Sequence, residues 1–352
     1  MKKFFTLLFL LIQISSFSQS GSVPAKIFAA PYVDNTGRDI CLFWNTESGK
    51  SVFYNWSTDI SNWKAYSINL PEKPLGETKG NIMMAPYIDN TGRDVCLIWN
   101  AETGKSVFYN WSTDISNWKA YSINLPEKPL GETKGKIMMA PYVDKTGRDV
   151  CLIWDTETGK SVFYNWNVEI SNWKAYSINL PEKPLGETTG MTMMAPYVDN
   201  SGRDVCLIWN PETGKSVFYN WSTDISNWKA YSINLPEKPL GETTGKIMMA
   251  PYVDNTGRDV CLVWDFKTGK SSYYNWSTEN TNWQAYSINL PEKPLGETIG
   301  KIMMVPYVDE TGRDVCLIWD IDTGTSVFYN WSADISNWKA YSINLPEKPM
   351  GY

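Results

Sequence analysis

Apolar residues fill the chain from Ile27 to Val33, stop at Asp34-Asn35-Thr36-Gly37-Arg38, and resume from Ile40 to Trp44. Turn formers followed by Gly between two apolar runs predict a hairpin whose Gly takes the left-handed backbone. The second strand, Asp39 to Asn45, alternates Ile40, Leu42 and Trp44 with Cys41 and Phe43. Both of its faces are apolar, so it is expected to be buried on both sides. Thr46-Glu47-Ser48-Gly49 predicts a second turn, again closed by Gly. A third strand follows over Ser51 to Trp56, with Val52, Tyr54 and Trp56 on one side and Phe53 and Asn55 on the other. After the polar stretch Ser57 to Asn62, a fourth strand is predicted from Trp63 to Leu70. Pro71-Glu72-Lys73-Pro74-Leu75-Gly76-Glu77-Thr78 then reads as a proline-stiffened connector. No helix is predicted.

The whole pattern returns five more times. Cys41, Cys96, Cys151, Cys206, Cys261 and Cys316 stand 55 residues apart (96 − 41 = 55), each inside one Gly-Arg-Asp-apolar-Cys-Leu-apolar-Trp phrase. A fixed period of this size marks a repeat architecture. A four-strand meander that is apolar on both faces needs a neighbour on each side, and radial stacking supplies both. The expected fold is all-β: a six-bladed β-propeller over 26–352, each blade a four-stranded antiparallel meander of 55 residues. The blades are 26–80, 81–135, 136–190, 191–245, 246–300 and 301–352. Every repeat runs from first to fourth strand in order, so closure of the ring rests on packing blade six against blade one.

Composition narrows the function classes. The 352 residues carry a formal charge of −6 with 43% apolar content, ample for a core. No basic run is present, which argues against nucleic acid and anionic membranes, both of which attract clustered Lys and Arg. Lys2 and Lys3, the apolar run Phe4 to Ile14 and the small residues around Ser16 to Ser18 form a signal-peptide pattern, with cleavage expected after Ser18. Residues 19–25 then form a short N-terminal segment. The chain is therefore expected to be secreted or periplasmic, with no membrane insertion, the apolar run being short for a bilayer span. The six cysteines are read as free, buried thiols, because equivalent atoms of neighbouring repeats should exceed the roughly 7 Å Cα limit for a disulfide unless their strand lines the axis.

The chain has no His. Ser-His-Asp and Cys-His catalysis and His-ligated metals are excluded. A carboxylate pair such as Asp34 with Asp39 is the remaining enzymatic option, and an Arg between two exposed acids is more simply an ion pair holding the turn. The expectation is a non-enzyme with no cofactor. Aromatic residues are the stronger signal: 18 Trp, three per repeat, represented by Trp44, Trp56 and Trp63. In a meander the turn between the first and second strands and the loop between the third and fourth emerge on one rim. That rim collects Asp34, Arg38, Asn55, Trp56, Asn62 and Trp63. Their aromatic counterparts are Trp111, Trp118, Trp166, Trp173, Trp221, Trp228, Trp276, Trp283, Trp331 and Trp338. Aromatic, amide and charged groups together suit a sugar, whose C–H face stacks on Trp while its hydroxyls meet the polar groups. The competing reading is that Trp56 and Trp63 close the blade end.

The repeat pattern resembles lectin-like tandem-repeat β-propellers. Its Asp-Asn-Thr-Gly-Arg-Asp turn is similar to a shortened calcium loop of integrin-type propeller repeats. That second likeness implies a cation at the turn, but Thr36 and Arg38 stand where oxygen ligands would be wanted, so no metal is expected. The function expected is a secreted, multivalent carbohydrate-binding propeller with up to six equivalent weak sites on one rim, its partners glycans or glycoconjugates. The alternative is an extracellular interaction or adhesion scaffold whose partners are surface proteins.

Overall fold

Turn chemistry closes the first hairpin as its residues demand. Strand β1 (Ile27–Val33) pairs antiparallel with β2 (Asp39–Asn45), Val33 opposite Asp39. Between them the Gly37 N–H donates to the Asp34 carbonyl at 2.9 Å, with Gly37 at φ 81. The next turn is tied by a side chain: Asn45 Oδ1 accepts the N–H groups of Glu47 and Ser48 at 2.9 and 3.0 Å. Gly49 is needed there twice over, since its φ is 71 and a Cβ would lie 2.8 Å from Pro74 Cδ.

Strand β3 (Ser51–Ser57) pairs with β2, and β4 (Asn62–Ala65) pairs with β3, Trp56 opposite Trp63. The fourth strand is shorter than the predicted Trp63 to Leu70. After Tyr66, whose N–H reaches the Phe53 carbonyl at 2.8 Å, the side chain of Asn69 takes over the ladder by accepting the Phe53 N–H at 3.0 Å. An amide side chain thus does what the backbone would have done, and the strand ends.

This computed structural model describes residues 27–345, apart from 67–68, 77–80, 122–123, 133–136, 177, 188–189, 232–233, 243–246, 287, 298–301 and 342–343. The expected signal peptide (1–18) and N-terminal segment (19–25) lie outside the described residues. Within them are six four-stranded antiparallel sheets, each in sequence order from first to fourth strand, and no helix. They form a six-bladed β-propeller. The first strand of each blade lies against the first strands of its neighbours, and blade one's against blade six's, so the first strand lines the axis and the ring is closed.

Alternation sends opposite faces of a blade to opposite neighbours. In blade one, Phe43 packs on Trp319 of blade six at 4.6 Å between ring centroids, and Trp63 stacks on Phe328 of blade six at 5.1 Å. On the other face, Phe53 stacks on Trp118 of blade two at 5.2 Å. The same stack of a fourth-strand Trp on the preceding blade's third-strand aromatic recurs at every seam, ending in Trp338 on Tyr273. Such pairs contribute about 0.5–1.5 kcal/mol beyond the area they bury.

All six cysteines are free and buried on the second strands, not on the axial ones. Burial pushes each thiol up, that of Cys316 to about 12. A thiol reagent should therefore leave the native protein untouched and titrate six groups after denaturation. Rapid labelling of the native protein would show that the second strands are open to solvent.

Candidate ligand seams between blades

The rim expected to gather the candidate residues is organised around Asp34, a buried carboxylate. Its Oδ1 accepts the Thr36 N–H and the Arg38 N–H, both at 2.9 Å, and the Thr36 hydroxyl at 2.7 Å. Its Oδ2 takes the Arg38 Nε and Nη2 at 2.9 and 2.7 Å. Both oxygens are thus occupied by donors of its own turn. The Asp34 side chain is 3% exposed and that of Arg38 46%, so the pair is anchored below and wet above. The same Asp–Arg pair stands in all six blades.

Arg38 is also held from the side. Its Cζ lies 5.5 Å from the ring centroid of Tyr66, and the arrangement repeats through Tyr121, Tyr176, Tyr231, Tyr286 and Tyr341. A cation over an aromatic face is an attractive contact. Burial lifts the Tyr66 hydroxyl to about 12, so it stays neutral. The tyrosine was not among the residues singled out from the sequence. Period-two alternation beyond Ala65 was the available signal, because it places Tyr66 on the face opposite Trp63.

Trp56 and its equivalents Trp111, Trp166, Trp221, Trp276 and Trp331 are half-buried. Between blades four and five, Trp276 stacks on Tyr231 at 6.4 Å, and Arg203 lies over that same tyrosine. The seam there presents guanidinium, phenol and indole in a row, contributed by two blades. In blade one Asn55 is half-buried, its Nδ2 donating to the Trp56 carbonyl at 3.4 Å. Asn62 is exposed, with Oδ1 accepting the N–H of the following Trp63 at 2.7 Å.

Trp63 belongs elsewhere. It is 9% exposed, one face is covered by Phe328 and the edge of Trp56 packs at 5.7 Å. Trp118, Trp173, Trp228, Trp283 and Trp338 are stacked likewise. All six pack blade to blade through one ring face; Trp63, Trp283 and Trp338 are buried, while Trp118, Trp173 and Trp228 are half-buried.

The reading of Asp39 as an exposed acid is corrected. Asp39 is not an exposed partner of Arg38 but a buried carboxylate directed at the neighbouring blade, where its Oδ1 accepts the Glu310 N–H at 3.2 Å. Asp94 does the same for Asn35, and Asp149, Asp204, Asp259 and Asp314 for Asn90, Lys145, Asn200 and Asn255. Burial, reinforced by the neighbouring Asp34, raises the Asp94 carboxyl to about 7. Asp204 reaches only about 6, and Lys145, which stands where blade one has Asn35, is among the groups that lower it. Among the described residues no three His, Cys, Asp or Glu side chains converge as a metal site.

Neither a protein-family model nor a curated protein sequence matches the chain. Solved structures do. A Lactobacillus plantarum protein has TM-score 0.49 at 10% identity, over 88% of this chain and 83% of that one. Fructan 1-exohydrolase IIa from Cichorium intybus has TM-score 0.44 at 10% identity, over 96% and 91%. A GH43 β-1,3-galactosidase with galactodeoxynojirimycin has 0.42 at 12%, over 70% and 90%. At these values the likeness identifies no activity for this chain. The expectation of a non-enzyme is withdrawn, two of the structures found being a fructan exohydrolase and a β-1,3-galactosidase.

Proposed function

We propose that the protein is a carbohydrate-binding propeller, exported to meet its glycans, whose sites are the six seams. Each seam joins the Arg38 and Tyr66 positions of one blade to the Trp111 position of the next. The observation that carries this reading is the recurrence in every blade of one half-exposed guanidinium fixed by a buried carboxylate and an aromatic face, joined between blades four and five by the half-buried indole of Trp276 stacked on Tyr231. An aromatic surface accepts the C–H face of a sugar, and a fixed fork of N–H donors meets its hydroxyls. A shallow site of this kind reaches about millimolar affinity. Six on one rigid ring raise avidity by roughly 10² to 10⁴ without any new contact.

Replacing Trp111 alone by Ala should change retention on a glycan-coated surface little. Replacing Trp56, Trp111, Trp166, Trp221, Trp276 and Trp331 together should lower it by about 10²-fold or more, provided circular dichroism shows an intact fold. If the sixfold variant fails to fold, quenching of wild-type indole fluorescence by free sugar serves instead. No quenching across a glycan panel, or undiminished retention by a folded variant, would sink the reading. Release of reducing sugar in the same assay distinguishes hydrolysis from retention.

The scaffold alternative has its own observation. Ile60, Ile115, Ile170, Ile225 and Ile335 stand exposed at the tips of the loops between third and fourth strands. Silence across the glycan panel would turn attention to these tips.

A further inference from the structure

The free edge of the guanidinium carries a statement about which sugars fit. Arg38 has five N–H groups, of which Nε and one on Nη2 are engaged by Asp34 Oδ2. Three remain. They form the Nη1 and Nη2 end of the fork, the end that Asp34 leaves unengaged on a side chain that is half-exposed. With Asp34 on one edge and Tyr66 at 5.5 Å on its face, the guanidinium is immobilised before any ligand arrives. A fork held in advance binds a planar acceptor without the ordering cost a free side chain would incur.

Resting on the seam reading, we infer that the seams take acidic sugars, the free end of each Arg38-type guanidinium gripping a ligand carboxylate while the neighbouring Tyr and Trp hold the ring. Two parallel N–H to O bonds to a carboxylate match this edge better than the scattered hydroxyls of a neutral sugar.

The charges around the fork set the conditions. Asp34 cancels the formal charge of Arg38. Across the seam, Asp94 faces Asp34, Arg38 and the Asn35 N–H of blade one, with Tyr32 and Tyr66 of blade one and Asp89 of its own turn nearby. The two tyrosines are neutral throughout, being raised by burial. Asp94 is protonated below neutrality and charged above it, so the seam is closest to neutral in acid. A carboxylate ligand therefore meets less repulsion at low pH, and a neutral sugar is indifferent.

The test compares two albumin conjugates of equal loading, one bearing β-D-glucuronide and one β-D-glucoside, binding to the intact protein at pH 5.5 and pH 8 in low salt. The glucuronide should bind about tenfold more tightly at pH 5.5, the scale of a charge-assisted hydrogen bond, and the advantage should shrink at pH 8. Replacing all six arginines by Lys (R38K, R93K, R148K, R203K, R258K, R313K) keeps the charge but removes the fork, and the glucuronide-to-glucoside ratio should fall to about one. Equal binding of both conjugates by the wild type overturns the inference and leaves the seam reading standing. Binding of neither overturns the inference, and silence across the wider glycan panel overturns the seam reading with it.

Discussion

The thermal unfolding temperature should fall as pH is raised from 4 to 8, opposite to the behaviour of a protein held by surface ion pairs. The cause is the set of six buried carboxylates that clamp blade to blade. Their folded values are about 7 for Asp39, Asp94, Asp149, Asp259 and Asp314 and about 6 for Asp204. An unfolded Asp titrates at about 3.9. The folded state therefore holds its protons more tightly, so stability is fully present below about pH 4 and is lost as pH rises through about 7. Each unit corresponds to about 1.4 kcal/mol, which puts an upper bound of about 4 kcal/mol on one site. Even about 1 kcal/mol at each of six sites is comparable with the whole net stability of an ordinary domain, about 5–15 kcal/mol.

Calorimetry at pH 5 and pH 8 reads the effect. The variant with Asn at all six positions keeps the acceptor for the neighbouring N–H and should lose most of the slope. A wild type whose midpoint is flat or rises between these pH values would show that the clamps titrate normally.

The second large effect is expected at the seam where the ring closes. Trp63→Ala removes the ring stacked on Phe328 and leaves a cavity between blades one and six, at a cost of about 3–5 kcal/mol. No covalent bond joins those two blades along the chain, so the loss falls on the contact that closes the ring. Urea unfolding measures it, and proteolysis should cut the variant faster than the wild type. A loss below about 1 kcal/mol would mean that the seam repacks around the gap. This packing role also makes Trp63 an unsuitable residue for testing ligand binding.

Much of this architecture was legible in the chain because it is written in local chemistry. The two-faced second strand and the Gly-closed turns depend on residues a few positions apart, as the Gly37 N–H on the Asp34 carbonyl shows, and the 55-residue period repeats them along the chain. The Asp34–Arg38 pair, four residues apart, was visible for the same reason. Tyr66 was passed over because its partner Arg38 lies on a different hairpin of the same blade, and only strand register brings them together.

What tertiary structure alone decided is the fate of each face at the seams. Identical repeats say nothing about which strand turns to the axis, since four strands in order can be wound with either end inward. That choice placed the first strand inside and the fourth outside. It sent Asp94 to the Asn35 N–H, 59 residues earlier in the chain, and it laid Trp118 on Phe53. Such contacts depend on the tilt and spacing of whole blades. Side-chain order within one repeat carries no term for that geometry, and this is why the sequence could place Trp56 and Trp63 on one rim but could not tell which of the two stacks on the preceding blade.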